Sequence, residues 1–280
     1  MELSLGVTLA VLGAALLHAT WNAIVKSGSD PMLDTAVVAL GSSVAVLPFL
    51  AVVSPPEAAA WPWLAASAVI HVGYFTALAG AYRAGDLSHG YPIMRGVAPL
   101  IVAMSASTWF GEAPGAATWA GLLLICSGVL SLGLAGLDWR RSRAATAWAL
   151  ANAVIIAAYT LVDAAGVRAA GGAERYVCWV FFVMGLPYVL LVWARRRAEL
   201  ARHAVRHWRR GLLGGVFVVG SYGIALWAMT RAPVAVIAAL RETSVIFGAL
   251  IGAWLLKEGH LRPRLAGAAA VLAGVIALKL

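Results

Sequence analysis

Two arginines, Arg95 and Arg241, interrupt long apolar runs, and each stands 17 residues before a glutamate in a matched setting. Arg95 leads to Trp109-Phe110-Gly111-Glu112, and Arg241 leads to Leu255-Leu256-Lys257-Glu258. The offset of 146 also pairs Gly121 with Gly267 and Gly128 with Gly274. Upstream, Tyr74 lies nine residues before Arg83, as Tyr222 lies nine before Arg231. The chain is therefore one unit written twice. Each copy sets a cation where hydrocarbon would surround it. An arginine at the centre of a span costs about 2.5–3.5 kcal/mol on insertion scales, so each guanidinium calls for an ion partner or water.

Hydrophobic residues fill 62% of the 280 positions and charged residues 12%. A bilayer span needs about 20 mostly apolar residues. Ten stretches qualify, near 5–25, 34–53, 62–82, 88–110, 115–136, 146–167, 176–194, 211–230, 233–256 and 264–280. They lack the period-two alternation of barrel strands, so the expected fold class is an all-α membrane protein with ten transmembrane helices. No Lys or Arg precedes the first apolar run, so a cleavable signal is not expected. Cys126 and Cys178 fall within apolar spans and read as small buried hydrophobes rather than a disulfide framework.

The net charge of +9 is unevenly placed. Arg195, Arg196, Arg197, Arg202, Arg206, Arg209 and Arg210 crowd the connection between spans 7 and 8, and Arg140, Arg141 and Arg143 that between spans 5 and 6. With Lys26, Arg83, Lys257, Arg262 and Arg264, one side of a ten-span bundle carries 15 basic residues, against Arg168, Arg175, Arg231 and Lys279 on the other. The positive-inside bias makes the rich side cytoplasmic and places both termini outside, in the periplasm. Anionic lipid headgroups account for this charge, and no nucleic-acid partner is expected.

The polar stretch Asp138-Trp139-Arg140-Arg141-Ser142-Arg143 divides the chain into repeats 1–139 and 140–280 within one integral membrane domain. Five spans per repeat is an odd number, so the second copy enters from the opposite side and the repeats are expected to be inverted. Pro92 and Pro99 kink span 4, whereas span 9 has no internal proline after Pro233. Spans 5 and 10 carry small residues at helical spacing, Gly121 with Gly128 and Ala270 with Gly274, and are assigned to scaffolding or to contacts in a homodimer.

Polar residues mark the inner faces. His18, Trp21 and Asn22 share one face of span 1; Asn152, Tyr159 and Asp163 share one of span 6. His71 and Tyr74 share a face of span 3, with Tyr222 the span 8 counterpart of Tyr74. Span 4 supplies Tyr91 and Arg95, and span 9 supplies Arg241 and Glu242. Spans 1, 3, 4, 6, 8 and 9 are thus polar-faced, and spans 2, 5, 7 and 10 nearly bare. Each candidate has a structural reading beside the functional one. Arg95 is near enough to its helix start to snorkel outward. Arg95 with Glu242, or Arg241 with Asp163, would make a purely structural ion pair. The aromatic residues would pack rather than bind, and the histidines would be hydrogen-bonded rather than proton-handling. Asp163 lies near the end of span 6, where water is close. Glu199, His203 and His207 share a helical face and have metal-ligand chemistry, but sit among seven arginines. Motifs for zinc hydrolysis, a nucleophile elbow or phosphate cradling are missing, so no enzyme and no cofactor is expected. A duplicated apolar bundle with both charge signs and aromatics at mid-depth reads as a carrier for a small molecule.

The pattern resembles the drug/metabolite transporter superfamily, in particular its ten-helix EamA-type members. The resemblance rests on the doubled five-helix unit. Its motifs are Tyr82-Arg83-Ala84-Gly85-Asp86-Leu87-Ser88, Arg95-Gly96-Val97-Ala98-Pro99 and Phe110-Gly111-Glu112, echoed by Thr230-Arg231-Ala232-Pro233, Arg241-Glu242-Thr243 and Leu256-Lys257-Glu258-Gly259. It implies a basket of ten helices around a cavity lined by helices 1, 3, 4, 6, 8 and 9. It also implies secondary transport, commonly export of amino acids and similar metabolites across a bacterial inner membrane. Alternatives within the superfamily are drug efflux and the carriage or flipping of lipid-linked or phosphorylated substrates. On these terms Arg95 or Arg241 would meet a substrate carboxylate and Glu242 or Asp163 an amino group. Trp21, Tyr74, Tyr159 and Tyr222 would form the wall.

Overall fold

The structure, a computed structural model, describes residues 4–26, 28, 30–84, 87–134, 143–248 and 261–278. Leu256, Lys257, Glu258 and the seam at 135–142 lie outside the described residues, as does the side chain of Tyr91. The helices are α1 (Leu5–Lys26), α2 (Pro31–Leu50), α3 (Trp61–Ala84), α4 (Leu87–Phe110), α5 (Ala116–Leu134), α6 (Arg143–Arg168), α7 (Ala173–Val183), α8 (Leu186–Met229), α9 (Val234–Arg241) and α10 (Leu261–Ala277). Among the described residues there is no strand. Among the described residues five helices can cross a membrane by length and composition: Leu5–Val25, Pro31–Leu50, Pro92–Phe110, Arg143–Arg168 and Ala173–Met229, the last taking α7 and α8 together. Shorter apolar helices run over Ala116–Ser131 and Gly267–Ala277. Outward faces carry exposed Leu5, Leu9 and Leu16 on α1, Val69 on α3, Met104 on α4, Leu150 and Val154 on α6, and Leu272 and Ile276 on α10. A water-soluble protein does not spread its apolar side chains over its whole surface; a multi-pass membrane protein does.

Local chemistry explains where the helices start and stop. Asp30 caps α2, its Oδ1 accepting from the N–H groups of Met32 (3.1 Å) and Leu33 (3.2 Å), and Pro31 opens the helix with the preset φ of a first-turn proline. Gly111, at φ 66°, ends α4 in the left-handed region that a residue without Cβ enters freely. The span expected at 176–194 is broken: α7 stops at Val183, Met184 and Gly185 turn, and α8 restarts with Pro187 in its first turn. The break leaves carbonyls without helical partners. The Ser43 hydroxyl of α2 answers them, at 3.0 Å from Phe181 O and 3.1 Å from Phe182 O. The arginine-rich connection is helical rather than irregular. α8 runs 44 residues, with non-helical φ/ψ at Arg196 and His207 marking two kinks.

Span 9 departs from expectation in the same way. α9 ends at Arg241, and Glu242 and Thr243 form a turn before a helical stretch at 244–248. The following N–H groups bond three residues back, Val245 to Glu242 O (3.0 Å) and Ile246 to Thr243 O (3.0 Å). The Arg241 carbonyl is thereby released, and Arg95 Nη2 donates to it at 3.4 Å. The two arginines matched by the repeat thus meet in space.

Glycines set the closest helix approaches. α2 packs on α8 where Gly41 faces Gly211 and Gly215; a Cβ on Gly41 would lie 2.1 Å from the Gly211 carbonyl oxygen. α5 packs on α10 with its pairs crossed: a Cβ on Gly121 would meet Gly274 O at 2.9 Å, and one on Gly128 would meet Gly267 O at 2.8 Å. α3 lies against α6 as α1 lies against α8, and α4 against α6 as α1 against α9.

Where α8 kinks, Arg196 Nη1 donates to Asp30 Oδ2 (2.6 Å) and His203 Nε2 stands 2.8 Å from Asp34 Oδ1, tying the α1–α2 connection to the arginine-rich segment. Partial burial pushes the Asp30 pKa up. The Arg196 bond and the two capping N–H groups outweigh it and hold the carboxyl below its ordinary value of 3.8. A carboxyl depressed on folding stabilises the protein above its unfolded pKa and loses that contribution as pH falls through the folded one. Asn at this position keeps the cap and loses the charge. Thermal unfolding in detergent should therefore separate Asp30→Asn from the parent most above about pH 5, and the gap should close below about pH 4. A gap that widens on acidification would contradict the assignment.

Candidate functional site

The helices surround a cavity of about 60 Å³, room for a few water molecules. α1 contributes His18 and Trp21, α3 contributes His71, Tyr74 and Phe75, and α6 contributes Tyr159. Val218, Ser221 and Tyr222 come from α8, Met184 from the turn before it, and Arg241 from the end of α9. α2 adds Thr35, Val38, Ala39 and Ser42. Of the sequence candidates, His18, Trp21, His71, Tyr74, Tyr159, Tyr222 and Arg241 converge here. Arg95, Glu242, Asn22 and Asp163 stand off the wall, and the Tyr91 side chain lies outside the described residues. The expected ring of helices differs at two places: α2 lines this cavity, and among the described residues α4 supplies no side chain to it. The α2 face was readable, since Thr35, Val38, Ala39 and Ser42 follow the i, i+3, i+4, i+7 spacing, but only its ends are polar.

The wall is largely aromatic and internally ordered. His71 stacks on Tyr159 with centroids 4.6 Å apart, and Tyr159 meets Tyr74 and Tyr222 edge-on at 5.5 and 5.8 Å. His71 Nδ1 lies 2.9 Å from the Ser67 carbonyl, which places its proton on Nδ1 and leaves Nε2 an acceptor. His18 takes the opposite tautomer when neutral, because Trp21 Nε1 donates to its Nδ1 at 3.2 Å. Asn22 is held back, its Nδ2 donating to the His18 carbonyl at 2.8 Å.

Charge is sorted on and off this wall. Arg241 places its guanidinium over the Tyr222 ring, 4.8 Å from the centroid, and among the described residues it joins no ion pair. Arg95 Nε pairs with Glu242 Oε2 at 2.8 Å; the two residues are 4% and 3% exposed. Asp163 is not near water: its exposure is 0%. Tyr176 donates to its Oδ1 at 2.8 Å and Tyr222 to its Oδ2 at 2.7 Å. α7 folds back over α6 to bring Tyr176 there, and Gly166 makes the room, since a Cβ on it would lie 2.3 Å from the Tyr176 ring. The expected pairing of Arg241 with Asp163 is therefore replaced by the two phenols. Among the described residues no group of His, Cys, Asp and Glu can hold a metal, Glu199, His203 and His207 included.

At the far end of α8, Arg168 Nη2 donates to Glu112 Oε1 (2.6 Å) and its Nε and Nη2 donate to the Met229 carbonyl at 3.0 and 2.9 Å. Glu112 Oε2 accepts from the Val234 N–H at 2.8 Å, a carboxylate on the first turn of α9. This cluster joins the ends of α4, α6 and α8 to the start of α9.

A doubled, lipid-exposed helical bundle around a small aromatic cavity with a buried cation defines a membrane transporter. The sequence profile of the EamA-like transporter family matches residues 5–134 and again 143–280, and the chain belongs to that family. A solved structure titled only as the crystal structure of a protein shares the fold, with a TM-score of 0.76 at 18% identity over 98% of each chain. No curated protein matches the sequence.

Proposed function

We propose that the chain is a bacterial inner-membrane secondary carrier that exports small metabolites bearing a carboxylate, the class to which amino acids belong, by alternating access. The observation that carries this reading is Arg241: a buried guanidinium on the wall of an aromatic cavity, over the Tyr222 ring and in no ion pair among the described residues. A guanidinium meets a carboxylate through charge-assisted, often bidentate hydrogen bonds. On this reading His18, Trp21, His71, Tyr74, Tyr159 and Tyr222 surround the apolar body of the solute. Ten spans form two inverted five-helix repeats, 1–139 and 140–280, with periplasmic termini. The crossed glycine pairs of α5 and α10 and the contact of Arg95 with Arg241 support that arrangement, because a two-fold axis makes equivalent residues meet in this way. The cluster at Asp30–Arg196 stands at the first kink of α8 and that at Glu112–Arg168 at its C-terminal end, and they supply the two gates that an alternating-access cycle needs.

Purified protein in liposomes loaded with a radiolabelled panel of organic acids and amino acids should release at least one compound faster than protein-free vesicles. Arg241→Gln should lower that release by about 10–100-fold, the worth of a hydrogen bond to a charged group, while Arg241→Lys retains part of it. Both variants should elute and unfold as the parent does. Wild-type protein that releases nothing across the panel would remove the reading.

A further inference from the structure

Among the described residues the charge on the cavity wall is of one sign: Arg241 faces it, whereas neither nearby carboxylate does. Asp163 has one phenol on each oxygen, and Glu242 is paired with Arg95 behind the wall. A solute carrying both a carboxylate and an ammonium would find a counter-charge for the first group only. Its ammonium would lie beside Arg241 in a site with little water, where an unpaired charge is costly. Two of the ring faces that could take a cation are in use: Arg241 covers Tyr222, and His71 covers Tyr159. Resting on the carrier reading above, we propose that the cavity selects monoanionic carboxylates with an apolar or aromatic body and no ammonium group, and discriminates against the zwitterion of the same skeleton. One guanidinium matches one negative charge, and the surrounding rings match the body.

The test is calorimetric titration of the detergent-purified chain with matched pairs, phenylpyruvate against phenylalanine and 4-methyl-2-oxopentanoate against leucine. The oxo acid should bind at least about tenfold tighter in at least one pair, the discrimination expected when a charged group is left without its hydrogen bond. Tyr222→Phe removes one of the two donors to Asp163 and frees a carboxylate oxygen behind this part of the wall, so the ratio should fall severalfold toward the zwitterion. Equal or tighter binding of the amino acids by wild-type protein would overturn the proposal and leave the carrier reading standing. Binding of neither member of either pair would also overturn it, and the liposome panel then decides the carrier reading separately. Should Tyr222→Phe fail to fold, the wild-type ratio still decides.

Discussion

Glu242→Gln is expected to destabilise the protein by about 3–5 kcal/mol, the usual result of removing one partner of a buried ion pair. The size of the effect follows from what remains. Arg95 is 4% exposed, and Arg241, its counterpart in the other repeat, supplies the carbonyl at 3.4 Å rather than a counter-charge. A guanidinium cannot shed its proton, so the site would keep a buried cation that has lost this carboxylate, with a second guanidinium one residue from the replaced side chain. Arg95→Met should be milder, because a lone carboxylate can neutralise itself by taking up a proton. The double variant Arg95→Met/Glu242→Met should recover most of the loss, since apolar side chains of similar volume replace buried ion pairs at little cost. Thermal unfolding in detergent of the parent, the two single variants and the double variant gives the coupling directly. Additive losses would show that the 2.8 Å pair is not coupled, and a stable Glu242→Gln protein would show that Arg95 does not depend on this carboxylate.

Much of this arrangement was legible because membrane helices hide their polar groups in few places. In a span where nearly every residue is apolar, a polar residue at i and another at i+3 or i+4 marks the inner face with little competition. His18 with Trp21 and His71 with Tyr74 were read on that basis, and both pairs face the cavity. Tyr159 was read from the face it shares with Asn152 and Asp163, and the repeat match added Tyr222 as the counterpart of Tyr74. The face of α2 failed the same test, because Val38 and Ala39 are indistinguishable in sequence from lipid-facing residues.

The fates of the charges were not legible, and the reason is distance in the chain. Asp163 is settled by Tyr176, on the next helix after a tight turn, and by Tyr222, 59 residues on. Which of two arginines takes Glu242 depends on where the backbone breaks. A helix continuing through Arg241 would keep its carbonyl occupied; the turn at Glu242 and Thr243 frees it for Arg95. No proline or glycine stands at that turn to announce it. The break in α7 does carry such a signal, Gly185 followed by Pro187, yet the flanking residues are apolar enough that the span reads as continuous.

Gly215→Ala should be comparably damaging, although it adds a single methyl group. The new Cβ would lie 2.3 Å from both the Gly41 carbonyl carbon and the Ser42 amide nitrogen, and 2.7 Å from the Gly41 oxygen. Carbon atoms pack at about 3.5–4.0 Å, so the two helices must part by more than about 1 Å. Backbone cannot rotate out of the way as a side-chain tip does. Overpacking costs typically about 1–3 kcal/mol and occasionally more, and this site belongs at or above the upper end. The displacement would reach the cavity as well, because Val38, Ala39 and Ser42 line it from the same stretch of α2. Gly73→Ala on α3 is the matched control: its Cβ would sit 3.8 Å from Ile155 Cδ1, an ordinary contact, and alanine favours the helix by about 1 kcal/mol. The control should unfold at or above the parent temperature, and Gly215→Ala well below it with ligand binding reduced. Equal stability of the two variants would mean that α2 and α8 do not approach through their glycines, and that the α2 wall of the cavity is held by something else.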